Sequence, residues 1–209
     1  MRALLYIGIL FSVLSCGRNT PRLRTGDLLF EAGGRSEMAG AIAAATGEQG
    51  ALNYTHVAIA IAGRGADSVL EATAQGGVRL CALEQFLASA ERIGGRPAVV
   101  AMRLRDTAGV AAAVERARRC VGLPYDYSFR PDNGKYYCSE LVHANYLAPD
   151  GSPRFTARPM NFRAADGTMP AYWTELFERL GEPVPQDVPG TNPNDMACEA
   201  CLEEVGRWF

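Results

Sequence analysis

The sequence predicts an α+β domain built on a central antiparallel sheet, and three observations carry that expectation. Short apolar strands punctuated by turn residues recur from Leu28 to Leu104. Two of them, Asn53 to Ile61 and Ser68 to Thr73, flank a five-residue Gly63–Asp67 turn and read as a hairpin. Helical periodicity appears between and after the strands, so helices pack against the sheet from outside its hairpins. At 209 residues the chain suits one domain with a substantial core. A net charge of -2 argues against general nucleic-acid binding.

The first residues stand apart from the domain. Arg2 precedes an apolar run from Ala3 to Leu14, too short to span a bilayer but right for a signal-peptide core. It ends in Val13-Leu14-Ser15-Cys16-Gly17, where a small residue directly precedes a cysteine. That pattern resembles a bacterial lipobox, with cleavage before Cys16 and acylation of its thiol. The expected organisation is a signal peptide over residues 1–15, a tether over 16–24 and the domain over 25–209. A membrane-anchored lipoprotein of the bacterial cell envelope, periplasm-facing or in the outer membrane, is the corresponding location.

Export leads to an oxidising compartment, so the cysteines matter. Besides Cys16 there are five: Cys81, Cys120, Cys138, Cys198 and Cys201. An odd number leaves at least one thiol free. Cys198 and Cys201 form one Cys-x-x-Cys pair without a second ligand pair, which reads as a structural disulfide or two reduced thiols.

In chain order, Thr25-Gly26-Asp27 turns into a buried strand at Leu28–Phe30, and Ser36 to Ala45 forms an Ala-rich helix ending at Thr46-Gly47. Within the first hairpin strand Val57, Ile59 and Ile61 share one face, while His56, Ala58 and Ala60 share the other. The small residues beside His56 leave room for a helix to pack on its face, and the helix that opens at Cys138 is expected there. Pairing odd with even residues across the turn brings Glu71 or Thr73 opposite His56. Val78 to Leu80 adds a short strand, Leu83 to Ile93 a surface helix, and Pro97 to Leu104 a buried strand. Thr107 to Val121 is an amphipathic helix, and Gly122 to Lys135 a long polar loop. A helix then starts at Cys138 and stops before Pro149. After it come a helix at Ala171–Leu180, a proline-rich arm at Gly181–Pro193 and a final helix at Asn194–Trp208.

Cys138 is the chemically suggestive residue. A cysteine in the first helical turn sits at the positive end of the macrodipole, which favours its thiolate. Equally, a free cysteine is often only a small buried apolar residue. A histidine with a carboxylate across from it completes a nucleophile, base and orienter set: Cys138, His56 and Glu71. The only other histidine, His143, lies five residues after Cys138 on one helix, rotated by about 140°. It reads as a surface or packing residue. No zinc-ligand spacing and no phosphate-binding Gly-rich loop is present, so no cofactor and no metal is expected.

The ordered series Gly26-Asp-Leu-Leu-Phe30, Thr55-His-Val-Ala-Ile59, Leu70-Glu-Ala-Thr73, Leu123-Pro-Tyr-Asp126 and Tyr137-Cys-Ser-Glu-Leu-Val142 resembles the permuted papain-like cysteine hydrolases related to NlpC. Within them it is most similar to the YiiX/YebB-like branch, over residues 26–147. The resemblance implies a circularly permuted papain-like fold, in which the histidine strands precede the nucleophile helix. It implies Cys138 as nucleophile, His56 as general base and Glu71 as orienter. It also implies Tyr125 beside the site, hydrogen-bonding the reacting carbonyl together with the Cys138 backbone N–H. Tyr54 and Tyr137, close in sequence to His56 and Cys138, are further substrate or oxyanion candidates.

The expected activity is cleavage of an amide bond through an acyl-enzyme, on a peptide, a peptidoglycan fragment or another acyl amide. Two alternatives stay open: acyl transfer or hydrolysis on a lipid or thioester, and a non-enzymatic binding lipoprotein. The pocket wall from Phe155 to Trp173 discriminates, since a long apolar groove suits acyl chains and an open polar one suits peptides.

Overall fold

The computed structural model describes residues 20–34, 36–47 and 52–209. The signal-peptide reading, the Cys16 site and residues 16–19 of the tether lie outside the described residues. Among them no helix is long and apolar enough to cross a membrane.

Six strands form the antiparallel sheet: β1 (Leu28–Ala32), β2 (Tyr54–Ile61), β3 (Ser68–Thr73), β4 (Gly77–Ala82), β7 (Val99–Leu104) and β10 (Leu202–Arg207), in the order β10-β7-β1-β2-β3-β4. Small ribbons join β5 (Arg92–Ile93) to β6 (Arg96–Pro97) and β8 (Arg158–Pro159) to β9 (Pro189–Gly190). The helices are α1 (Glu37–Thr46), α2 (Leu83–Ser89), α3 (Val110–Arg119), α4 (Cys138–Asn145), α5 (Ala171–Leu180) and α6 (Pro193–Ala197).

Two cores sandwich the sheet. Val57, Ile59 and Ile61 pack with Leu28, Phe30 and Val100 against Leu141 and Val142 of α4 and against Val114 of α3. Ala58 and Ala60, with Leu29, Val69 and Ala101, pack beneath Phe86 of α2. The expectation that α4 covers the His56, Ala58 and Ala60 face is therefore corrected. The bulky β-branched residues of β2 draw the larger helical layer, because they offer it more apolar area to bury. The small residues leave room for the two-turn α2 instead.

Local signals set several elements as expected. The Ser36 hydroxyl accepts the Ala39 N–H at 3.1 Å and starts α1, which stops at Gly47. Gly26 adopts φ 92°, and a Cβ there would run into Val110, so the turn into β1 needs glycine. The buried Asp27 accepts both Nε and Nη2 of Arg103 at 2.7 Å, locking that turn onto β7.

The C-terminus differs from expectation. In place of one helix over Asn194–Trp208, α6 ends at Ala197 and the chain becomes β10, pairing with β7 from Leu202↔Leu104 to Arg207↔Val100. A helix would bond only to itself, whereas pairing also satisfies the backbone groups along the open edge of β7, so pairing overrides local helical preference. Leu83–Ile93 also proves shorter as a helix, with β5 taking its end.

Candidate active site

The loop before Cys138 is built to deliver it. Tyr125 and Tyr136 form a parallel bridge at its base. Inside it the fully buried Asp126 accepts the N–H groups of Ser128 and Arg130, each at 2.9 Å. Cys138 then opens α4, with Tyr137 as the extended cap residue. As the first helical residue, Cys138 has a backbone N–H with no intrahelical partner. Glu140 reaches back to the Tyr137 N–H at 3.3 Å. Burial, then the nearby Asp126 charge, pushes its carboxyl up to about 8, so at neutral pH it serves as a largely protonated cap.

β2 and β3 pair only over Ile59–Ile61 and Ser68–Leu70, in the odd-with-even register expected. Beyond Ile59 their backbones are no longer paired, and here His56 Nε2 meets Glu71 Oε2 at 2.8 Å. Continuing the register sets Thr73 directly opposite His56 and Glu71 diagonally, within reach of long side chains. The other Glu71 oxygen accepts Arg79 Nε at 3.0 Å and Nη2 at 2.9 Å, while the Cys81 thiol donates to it at 3.5 Å. Glu71 and Arg79 are direct cross-strand partners in β3 and β4. Arg79 was not a sequence candidate, although an Ala74–Gly76 turn after Thr73 carried the signal for that pairing.

The electrostatics are coherent. Burial opposes the charge on Glu71, but the hydrogen bonds and charges of His56 and Arg79 hold its carboxyl down at about 2. Burial alone would push the His56 imidazole down; hydrogen bonds with Cys138 and Glu71 outweigh it and hold the ring well above its ordinary value. With Nε2 engaged by Glu71, the nitrogen turned to the thiol is Nδ1. Burial pushes the Cys81 thiol up to about 11, the Glu71 charge adding to it, so Cys81 stays a neutral donor. All five described cysteines are free, Cys138 among them.

Two spaces open at Cys138. A polar cleft of about 650 Å³ is lined by Glu31, Glu37, His56, Glu71, Arg79 and Tyr125. An apolar slot of about 50 Å³ runs between Ile42, Phe129, Met160, Phe162 and Trp173. Tyr125 borders both; it is buried, and among the described residues its hydroxyl hydrogen-bonds only to the weak acceptor Met38 Sδ at 3.6 Å. The Tyr137 hydroxyl accepts the Thr191 N–H at 3.2 Å, so it pins the C-terminal arm as wall of the slot and is turned from the cleft. Ser139 Oγ, donating to the Thr191 carbonyl at 3.1 Å, secures the same arm.

Tyr54 is a correction. A β-bulge leaves Thr55 unpaired, since Glu31 faces His56 but Ala32 faces Tyr54. The extra residue breaks the alternation, and Tyr54 stacks on Phe30 at 5.5 Å in a separate cavity with Met102 and Cys198. His143 lies away from both spaces on α4, half-buried, its imidazole pushed down by burial.

A thiol at a helix tip, an imidazole beside it and a carboxylate hydrogen-bonded to the ring are the parts that a cysteine hydrolase site on an α+β scaffold needs. Comparison with known proteins agrees with that class. The model of the permuted papain-like amidase enzymes, YaeF/YiiX, C92 family, matches residues 22–206, and the chain belongs to this family. It is thus a papain-like cysteine hydrolase of the amidase class. The uncharacterized protein YiiX of Escherichia coli strain K12 is 28% identical over 173 residues, covering 81% of this chain and 79% of that protein. The crystal structure of the metalloprotein YiiX from Escherichia coli O157:H7 is similar with a TM-score of 0.70 at 26% identity, covering 88% of this chain and 97% of that one.

Proposed function

We propose that the protein is a cell-envelope cysteine amidase that cleaves a peptide-like amide through an acyl-enzyme on Cys138. The observation that carries the substrate class is the cleft: the larger space at the thiol is open and polar, whereas the apolar slot has room for only about four waters. A peptide or peptidoglycan fragment suits the first. A long acyl chain does not fit the second, which favours the amide reading over a lipid one.

In this reading the thiol proton rests on His56 Nδ1, and the thiolate attacks the substrate carbonyl carbon. The C=O electron pair moves onto oxygen, which meets the Cys138 N–H and the Tyr125 hydroxyl. His56 then protonates the departing nitrogen as the C–N bond breaks, leaving a thioester on Cys138. Water, deprotonated by His56, attacks that thioester and releases the acid and the thiol. Glu71 keeps the ring oriented and stabilises its charge throughout. The crystallised YiiX is described as a metalloprotein. Among the described residues of this chain no three His, Cys, Asp or Glu side chains converge to hold a metal, and Cys138, His56 and Glu71 are spent on one another. The residues present do not fit a resident metal, and no step is routed through one.

The deciding experiment incubates the protein with muropeptides and with acyl-amide lipids beside a Cys138→Ala control. Amide cleavage of muropeptides that falls by about 10⁴-fold or more in the variant is expected. Turnover retained by Cys138→Ala sinks the mechanism; turnover confined to the lipids sinks the substrate class. Anchoring through Cys16 is supported by the Leu14-Ser15-Cys16 pattern. Labelled palmitate should enter the wild-type chain and not Cys16→Ser; equal labelling refutes the anchor.

A further inference from the structure

The polar cleft carries a carboxyl that the acyl-transfer chemistry leaves unused. Glu31 in β1 is the direct cross-strand partner of His56 and lines the same cleft as Cys138. Directly opposed residues of an antiparallel pair place their Cβ atoms about 5 Å apart. Its Oε1 accepts only the Glu91 N–H, at 3.4 Å, and among the described residues no Arg or Lys stands within ion-pairing distance of either oxygen.

The other carboxyls lining the cleft are Glu37 and Glu71. Glu71 is ion-paired with both Arg79 and His56. Glu37 and Arg179, at the rim, both act on Tyr172 with opposite sign. Glu31 has no close ion-pair partner among the described residues, only the longer-range attraction of the His56 charge, and it lies next to the reacting groups. A half-buried, unpaired carboxylate is costly, and a cation arriving beside it offsets that cost. Desolvation by burial pushes its carboxyl up, against the pull of the His56 charge and the Glu91 N–H.

We propose that Glu31 is a specificity residue that seats a cationic group of the substrate, a protonated amine or a guanidinium, beside the scissile amide. The assignment rests on reading this cleft as the substrate site. It makes the preferred substrates peptides or amides with a positive charge close to the cleaved bond, and disfavours those with an anion there.

The test uses the Cys138 thiol itself as reporter. Rates of modification are measured, resolved by mass spectrometry of the Cys138 peptide, for a trimethylammonium-ethyl methanethiosulfonate and for the anionic sulfonatoethyl reagent of similar size. The cationic reagent is expected to react about tenfold faster relative to the anionic one than it does at the exposed Cys198. Glu31→Gln, which keeps side-chain volume and an acceptor for the Glu91 N–H, should lower that preference about fivefold or more. Glu31→Ala should lower it as well, and Glu37→Gln should change it less than twofold. A preference unchanged in both Glu31 variants overturns the proposal, and so does an equal fall in Glu37→Gln. Cys138 labelling that still slows on His56→Ala in that case leaves the amidase reading standing. Labelling at Cys138 no faster than at Cys198 counts against the amidase reading, while the charge preference still reports on Glu31.

Discussion

The two sides of Cys138 are held by different physics. On the sheet side, His56, Glu71, Arg79 and Cys81 form a chain of charge-assisted hydrogen bonds across three strands. On the loop side, Phe129, Tyr137, Phe162 and Trp173 meet as tilted or edge-on rings with centroids 5.1–5.9 Å apart. Directional hydrogen bonds fix a ring tautomer and a charge, which chemistry requires. Aromatic packing has no such polarity but sets a shape, which selects among apolar groups. The contrast predicts that reactivity and selectivity at this thiol are separable by mutation.

Glu71→Gln strikes the sheet side hardest. The amide cannot stabilise the imidazolium, so kcat should fall by about 10²- to 10⁴-fold with KM little changed, read by steady-state kinetics. The same residue has a stability signature. Its folded carboxyl lies at about 2 against an ordinary 4.5, so its contribution is present above pH 4.5 and is lost as pH falls towards 2. That difference is worth about 3 kcal/mol. His56 acts oppositely: its stabilisation is complete below pH 6.5 and is lost as pH rises through its raised value. Urea unfolding at pH 5 and at pH 2.5 should show wild type losing about three-quarters of that amount more than Glu71→Gln.

Arg79→Gln sharpens the comparison with a smaller effect. Two hydrogen bonds to Glu71 go, yet the His56 contact remains, and Arg79 is 40% exposed so that water replaces part of what it supplied. A fall in kcat of about tenfold is expected, with Arg79→Lys recovering part of it; an unchanged rate breaks the claim that the far side of Glu71 matters. On the slot side, Ile42→Ala widens the apolar space without touching the hydrogen-bonded chain. It should leave kcat on a small substrate within about twofold and raise kcat/KM for a bulkier apolar group by about fivefold, since a few methylenes in a pocket are worth only 1–3 kcal/mol. A large fall in kcat would show that the two sides are coupled after all.

Legibility followed the range of the interactions. The start and stop of α1, the turn before β1 and the opening of α4 at Cys138 rest on contacts within a few residues, and the sequence displays them. The hairpin register was also readable, because turn length and alternation set it. Tyr54 was misplaced because one bulged residue, Thr55, reverses the alternation, and its hydroxyl finds the Gly33 carbonyl only in the folded chain. Arg79 stayed hidden because its meaning comes from a pairing with Glu71, and Glu31 because its neighbour His56 is 25 positions away.

The amino-acid sequence by itself determined the family and the ordered set of His56, Glu71 and Cys138, since motifs, periodicity and caps are local and survive without coordinates. Tertiary structure alone decided which face of β2 meets α4, that residues 202–207 close the sheet as an edge strand, and how the space beside the thiol divides into a polar cleft and an apolar slot. Those outcomes depend on which distant surfaces bury the most area and satisfy the most backbone groups together, and no window of the chain contains both partners.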